Sequence, residues 1–355
     1  MSQVVLSPVL RVRPDNFTPP TRTPWGGTRI ASHYKRDLGL SMPDELIIGE
    51  SWEISVDRSF PSRLTSGLLL EDVLKTHSEF FLGNHFNEGL SLLVKLLDSA
   101  DNLSVQIHPS DDYEELAPME SGKPESWYIL DRIPGAGIYF GLKKDVDPTA
   151  LKNAISEGRD ISTMLHFVPV EPGDFFVIDA GTAHAIGTGV TLVEPQRVKP
   201  GMHGVTYRYW DWNRRYTPKG LPDSTGTPRA LHIEHALNVT DWDAPREGDL
   251  QRLRSKRLGP AALEAEARLE PLCGPEAGIR SVALEVSRLS GNGYTRLPGN
   301  NRPTALTAVS GLLTFADSTR DGRPLRRGES VLIAAGHVLE VHLQSFQGII
   351  ACALH

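Results

Sequence analysis

Short apolar runs bounded by glycine, proline, asparagine or aspartate recur along the whole chain, and their spacing predicts a mainly β protein. Val4–Val12, Glu45–Val56, Leu90–Leu97, Leu103–His108 and Trp127–Leu130 read as strands, followed by Gly137–Gly141, His166–Val170, Asp174–Ile178 and Thr191–Glu194. Leu103–His108 alternates strictly: Leu103, Val105 and Ile107 fall on one face, Ser104, Gln106 and His108 on the other. Leu90–Leu97 is apolar apart from Ser91 and Lys95, the pattern of a buried strand. Helical spacing is brief. Leu70, Val73 and Leu74 share a face in Leu68–Thr76, and Asp147–Glu157 starts with Asp147 as N-cap and Pro148 at the first helical position. Small helices are also expected at Asp160–Leu165 and Leu231–Leu237, and acidic Asp111–Met119 predicts a short helix or lid. At Ala244–Glu270 the composition turns charged and alanine-rich, which reads as a connector. Strand spacing then returns in Ile279–Leu289, Thr304–Ser310, Leu312–Phe315, Ser330–Ala334, Val338–Leu343 and Gly348–Ala353, predicting a second small barrel.

The length of 355 residues allows about two domains or one large one, with ample chain to bury a core. Hydrophobic residues at 39% and charged residues at 23% are ordinary for a globular protein. A net charge of −7 offers no basic surplus for nucleic acid, so an anionic substrate would need positive charge gathered locally. Met1–Arg13 is interrupted by proline and has no long apolar core, so neither a leader nor a membrane span is expected, and the cytoplasm is the expected location. Cys273 and Cys352 lie in no metal-type or redox spacing and read as buried free thiols.

Candidate chemistry gathers around Leu103–Tyr128. Gln106 and His108 point the same way, and Pro109 ends their strand. Glu125 follows Lys123-Pro124 and precedes an apolar run, so pairing of the two strands would carry its carboxylate back to Gln106 and His108. Imidazole, carboxylate and amide oxygen together make a plausible site for a first-row metal, and His184 in Gly-Thr-Ala-His-Ala-Ile-Gly offers a further imidazole. A lone histidine on a polar strand face is more often structural; the grouping is what favours ligands. Lys95 interrupts an apolar run, and a buried lysine without a partner is costly, so it faces a polar cavity or snorkels out. Lys123 would share the face of Glu125 and add positive charge to a cleft. Glu194 ends an apolar strand, either as a surface charge or as an inward acid, and Arg208 stands among Tyr207, Tyr209, Trp210 and Trp212, where the plain reading is stacking. His232 and His235, three apart with no cysteine or third histidine near them in sequence, read as structural.

The ordered set Trp25-Gly26-Gly27, Ile48-Gly49-Glu50-Ser51-Trp52, Leu93-Val94-Lys95, Gln106-Ile107-His108-Pro109, Lys123-Pro124-Glu125, His184-Ala185-Ile186-Gly187, Glu194, Thr206-Tyr207-Arg208, Asp211-Trp212 and Arg229-Ala230-Leu231-His232 resembles type I mannose-6-phosphate isomerases, zinc-dependent cupins, in their shorter bacterial form. Specific motifs cover about the first two-thirds of the chain, and the last third resembles the family only in general character. The resemblance implies two cupin-like jelly-roll β-barrels with a few small helices: a catalytic domain over 1–243, a connector over 244–278 and a C-terminal barrel over 279–355 that supplies no ligand. It implies one zinc ion per chain on Gln106, His108, Glu125 and His184, substrate contacts from Lys95, Lys123 and Arg208, and catalytic roles for Arg208 and Glu194. One departure stands out. The family usually carries aspartate four residues before the arginine, where this chain has Gly204.

The implied reaction interconverts mannose 6-phosphate and fructose 6-phosphate through an enediolate, with a small sugar phosphate as partner and neither nucleic acid nor membrane involved. Two other classes share the residues. Two histidines and a glutamate also form the facial triad of a non-haem iron or manganese oxygenase, against which the lysines and arginine speak. A catalytically silent sugar-binding cupin is the other, against which an intact ligand set speaks.

Overall fold

The computed structural model describes residues 6–316 and 322–354. Its architecture is mainly β and is organised around a six-stranded central sheet, in the order 255–257, 174–178, 125–132, 190–197, 92–98, 50–54. A five-stranded front sheet, in the order 207–210, 105–107, 184–186, 137–142, 165–169, packs on one face of it. An eight-stranded C-terminal sheet lies against the other.

Strand parity decides which core each side chain enters. In Asp174–Ile178 every residue is buried, because Phe176 and Ile178 join the core with Ile138, Phe140 and Ile186 of the front sheet while Phe175 and Val177 join the core with Leu332, Ile349 and Ala351 of the C-terminal sheet. Trp127 and Ile129 likewise face front and Tyr128 faces back, as do Leu192 and Val193 respectively. Strands covered on both faces read as continuous apolar runs, which explains the pattern of Leu92–Asp98. By the same alternation Lys95 and Leu97 share the front face, and Val94 and Leu96 the back.

Several expected elements form as read. Asp174–Ile178 is a strand, and Pro148–Ser156 is a helix whose N-cap Asp147 accepts the Ala150 amide proton at 2.8 Å. Elsewhere the structure differs. Asp111–Met119 is a series of turns rather than a helix. Side chains there bond the local backbone instead: Asp111 accepts from Gly122 N at 2.9 Å and Glu120 from Ala117 N at 2.9 Å, an alternative that competes with helix formation. The two strands read at Thr304–Ser310 and Leu312–Phe315 are one, Thr304–Phe315, and those read at Val338–Leu343 and Gly348–Ala353 are one, Leu339–Ala353. Bulges between Ala308 and Ser310 and between Ser310 and Leu312 break the alternation that would have revealed continuity.

Residues 244–278 contain the helix Glu247–Arg254, the strand Ser255–Arg257 on the edge of the central sheet, and the strand Arg268–Gly274 within the C-terminal sheet. Val9–Arg11 also joins the C-terminal sheet, beside Ser330–Ile333. Val4 and Val5 of the first expected strand lie outside the described residues. Cys273 and Cys352 are buried free thiols.

Candidate active site and metal centre

The front face of the central sheet and the strand Val105–Ile107 enclose a cavity of about 380 Å³. Glu50, Trp52, Lys95, Gln106, Lys123, Glu194, Gln196 and Arg208 line it. Beneath lies a buried cluster of His108, Glu125 and His184, whose ligand atoms all fall within 4.8 Å of one another.

The two sheets meet in this cluster. Gln106 stands directly opposite His184 in one pairing and Arg208 in the other, so three side chains share the front sheet's inner face. Glu125 arrives from the central sheet, where it pairs with Gln196 and Ile178. The expected pairing of the Gln106 and Glu125 strands therefore does not occur. The carboxylate is presented across the space between two sheets, because both strands find other neighbours. The loop before His184 is tied to His108 by Gly181 N, which donates to the His108 carbonyl at 3.0 Å.

Each histidine is oriented by its backbone partner. His108 Nδ1 donates to the Val205 carbonyl at 2.9 Å and His184 Nδ1 to the Thr182 carbonyl at 2.8 Å. A carbonyl only accepts, so the proton sits on Nδ1 and each Nε2 presents its lone pair inward. Those Nε2 atoms lie 3.3 Å and 3.4 Å from the two oxygens of Glu125. Burial, reinforced by the Lys123 charge, lowers the His108 proton affinity. Burial and His108 lower that of His184 to about 3. Both rings are thus neutral at pH 7. Glu125 is held well below the usual carboxylate range: its burial works the other way but is outweighed by Lys123, His108 and His184.

Buried lone pairs therefore converge on buried carboxylate oxygens with no proton between them. His108 Nε2, His184 Nε2, Glu125 Oε1 and Gln196 Oε1 are all buried without a hydrogen-bond partner among the described residues. Such an arrangement is repulsive by itself and fits a cation that accepts nitrogen and oxygen donors. Nδ1–carbonyl bonds of this kind are the support that would hold both imidazoles in place for a metal.

Glu194 and Lys95 stand opposite each other on adjacent strands, with Lys95 Nζ 3.5 Å from Glu194 Oε2. Trp127 Nε1 donates to Glu194 Oε1 at 3.0 Å. Burial, with the Glu125 charge, raises the Glu194 carboxyl to about 7, which Lys95 only partly opposes. Lys95 is buried over the Trp52 ring at 4.6 Å and near Glu50 Oε1 at 3.8 Å. Burial works against its charge, but Glu50, Glu194 and Glu125 together raise its proton affinity. Lys123 Nζ lies 3.4 Å from Glu125 Oε2. Arg208 donates through Nη1 to the Ala230 carbonyl at 2.8 Å, has no ion-pair partner among the described residues, and is lowered to about 10 by burial and Arg229.

Two further members were not singled out from sequence. Gln196 Nε2 donates to Glu125 Oε2 at 2.7 Å. Its signal was its place two residues after Glu194, hence on the same strand face. Glu50 accepts from Trp52 Nε1 at 2.8 Å and flanks Lys95. It lies in Ile48-Gly49-Glu50-Ser51-Trp52, where no spacing marks it for a role. Gly204 packs against the Lys123 stem, where an added Cβ would meet Lys123 Cδ at 2.9 Å and Val198 Cγ2 at 3.0 Å. The space of an aspartate side chain at this position is thus taken by Lys123. Among the described residues His232 and His235 join no metal-type cluster. His232 Nδ1 accepts the Arg208 amide proton at 3.1 Å, and His235 stacks on Tyr207.

Comparison with known proteins returns the family that the motifs resemble. A model of the phosphomannose isomerase type I catalytic domain matches residues 21–128. A mannose-6-phosphate isomerase of Streptococcus mutans is 35% identical over 225 residues, 62% of this chain and 65% of that protein. The aligned region thus spans just under two thirds of that relative's length. The crystal structure of the mannose 6-phosphate isomerase from Bacillus subtilis is 26% identical with a TM-score of 0.73, covering 98% of this chain and 100% of that one. A zinc-bound mannose 6-phosphate isomerase shares the fold at 16% identity and a TM-score of 0.66, covering 97% of this chain and 99% of that one.

Proposed function

With a type I phosphomannose isomerase catalytic-domain match over residues 21–128 as the premise, we propose that this chain interconverts mannose 6-phosphate and fructose 6-phosphate. The single observation that carries this reading is the converging set of orphaned ligand atoms on His108, Glu125 and His184, set beneath a cavity that also holds a carboxyl near neutrality and an arginine with no ion-pair partner among the described residues. His108, Glu125 and His184 would hold one zinc ion, with Gln106 directly opposite His184 on the front sheet; zinc is the ion carried by a protein of the same fold. When bound, zinc supplies Lewis acidity toward the sugar's reacting oxygens and neutralises the converging donors.

The chain's own residues do the rest. The reaction removes a proton from C2 and returns one to C1, so a group must hold that proton between the two carbons. Glu194 suits this, because a carboxyl titrating near the working pH both accepts and donates readily. Lys95 fixes its orientation and charge. Arg208 faces the same space with charge to offset the enediolate as it forms. Lys123 and Arg208 present cations to the phosphorylated sugar. Lys123→Ala is expected mainly to raise KM and Arg208→Ala to lower kcat.

The same reading takes the strands as two cupin-like jelly rolls, a catalytic one over 1–243 and a C-terminal one over 279–355 joined through 244–278, with Val9–Arg11 and Arg268–Gly274 lending strands to the C-terminal sheet, in a cytoplasmic enzyme. No helix of the described residues is long and apolar enough to cross a membrane. The deciding experiment is a coupled assay on mannose 6-phosphate before and after chelation, with zinc returned. Turnover lost with the metal and restored by zinc is expected. No turnover in zinc-loaded protein, or equal kcat/KM on unphosphorylated mannose, overturns the proposal.

A further inference from the structure

A second cluster of buried charge lies behind the cavity wall. The strand Glu50–Ile54 pairs with Leu92–Asp98, but Trp52 and Ile54 stand opposite the adjacent residues Lys95 and Val94. Glu53 is therefore the extra residue of a β-bulge, placed immediately beside the Trp52–Lys95 pair. Bulges turn a side chain away from the regular alternation and fix local geometry. Here the turned side chain is a carboxylate with no solvent exposure.

Every oxygen of that carboxylate is answered. Glu53 Oε1 accepts from Lys35 Nζ at 2.5 Å and from Ser51 Oγ at 2.7 Å, and Oε2 accepts from Ser330 Oγ at 3.0 Å. Lys35, equally buried, ends the helical turn Ile30–Lys35 and donates also to the Gly328 carbonyl at 2.6 Å. Gly328 has φ +79°, and a Cβ there would meet the Tyr34 carbonyl oxygen at 2.0 Å, so the close approach depends on glycine. The cluster thus ties the cavity-wall strand to a turn and a strand of the C-terminal sheet.

A buried ion pair is weak evidence for stability, since apolar side chains of similar volume often do as well. Its position is what gives it meaning. The strand it anchors carries Glu50 and Trp52 into the cavity, and these two hold Lys95, the partner of Glu194. We infer that the Lys35–Glu53 pair is a positioning element for the proton-transfer side of the cavity. It acts through the bulge on Glu50 and Trp52, and the C-terminal sheet takes part by way of Gly328 and Ser330. The inference rests on the isomerase reading.

The test is a double-mutant cycle read by steady-state kinetics on zinc-loaded protein with mannose 6-phosphate, at a temperature where circular dichroism shows each variant folded. Glu53→Gln keeps the side-chain shape and removes the charge. Its kcat is expected to fall about 10-fold, with KM changed by no more than about twofold and zinc content unchanged. On a Glu50→Gln background the same change is expected to cost little more, because both act through one contact. If Glu53→Gln does not fold, Ser330→Ala is carried through the same cycle, with a smaller loss of the same pattern. Equal losses on both backgrounds, or a lowered melting temperature with kcat intact, overturn the inference alone. Zinc-loaded wild type without turnover overturns the isomerase reading and the inference built on it.

Discussion

Two groups of buried charge lie on opposite sides of the central sheet's wall strands, and they are solved differently. Behind the wall, Lys35 and Glu53 meet with both side chains fully buried, and serine hydroxyls and a glycine carbonyl complete the set. In front, His108, Glu125 and His184 are as deeply buried but leave Nε2, Nε2 and Oε1 without partners. Both groups bear the desolvation cost of buried polar atoms. The first is closed by protein alone, which suits a fixed scaffold. The second is closed only by something that the protein does not supply, which suits a bound cation. Burial and charge alone do not mark a site; a converging, unanswered set of donors does.

The strongest way to break this contrast is to remove a converging ligand. His108→Ala or His184→Ala is expected to lose bound zinc and about 100-fold or more of activity together, since even supporting residues typically cost 10–100-fold. Metal content by atomic absorption, measured beside turnover, checks it. Stoichiometric zinc with normal turnover in either variant would move the site elsewhere. Zinc at about 1,000 times its Kd should also stabilise the wild type by about 4 kcal/mol, and a chelator should reverse this in a thermal melt.

The next effect concerns Glu194. Glu194→Gln is expected to lower kcat by about 10²–10⁴. Burial holds the Glu194 carboxyl above the ordinary carboxylate range, so the wild-type rate profile is expected to show an acid limb, with activity falling as pH drops, and this limb should vanish in the variant. The linkage sign is separate. A carboxyl raised on folding binds its proton more tightly in the native chain, so wild-type stability relative to Glu194→Gln should fall as pH rises from the ordinary carboxylate range through about 7. Parallel stability curves for the metal-free proteins across that window would show that Glu194 is not raised.

A smaller change opens the front cluster further. Gln196→Leu removes the donor at 2.7 Å from Glu125 and should weaken zinc binding by about 10–100-fold, with folding retained. Competition against a zinc-binding dye measures it, and unchanged affinity would make Gln196 a bystander. The smallest effect is expected at Gly204→Ala. The new Cβ presses on the flexible Lys123 stem, so KM should rise by a factor of about 2–10 while zinc content holds. An unaltered KM would mean that the displaced Lys123 stem has no part in substrate binding.

The chain's local periods determined a good deal. Alternation in Leu103–His108 set Gln106 and His108 on one face, and the Asp147–Pro148 pair marked a helix start that the structure keeps. The apolar run around Lys95 announced a buried strand and Asp174–Ile178 a strand, both of which form. These signals are local: a period of two fixes parity wherever the strand is placed. What parity cannot say is which strand lies alongside or which sheet lies opposite. Glu125 reaches the histidines across two facing sheets rather than along a ladder, and Gln196 reaches Glu125 through a pairing seventy-one residues distant. Glu53 owes its direction to a bulge that exists only against Leu92–Asp98, and its partners come from residues 35 and 330. The residue types and their faces were thus written in the sequence. Their meeting was decided by long-range pairing and by the placement of the sheets, which no local spacing encodes.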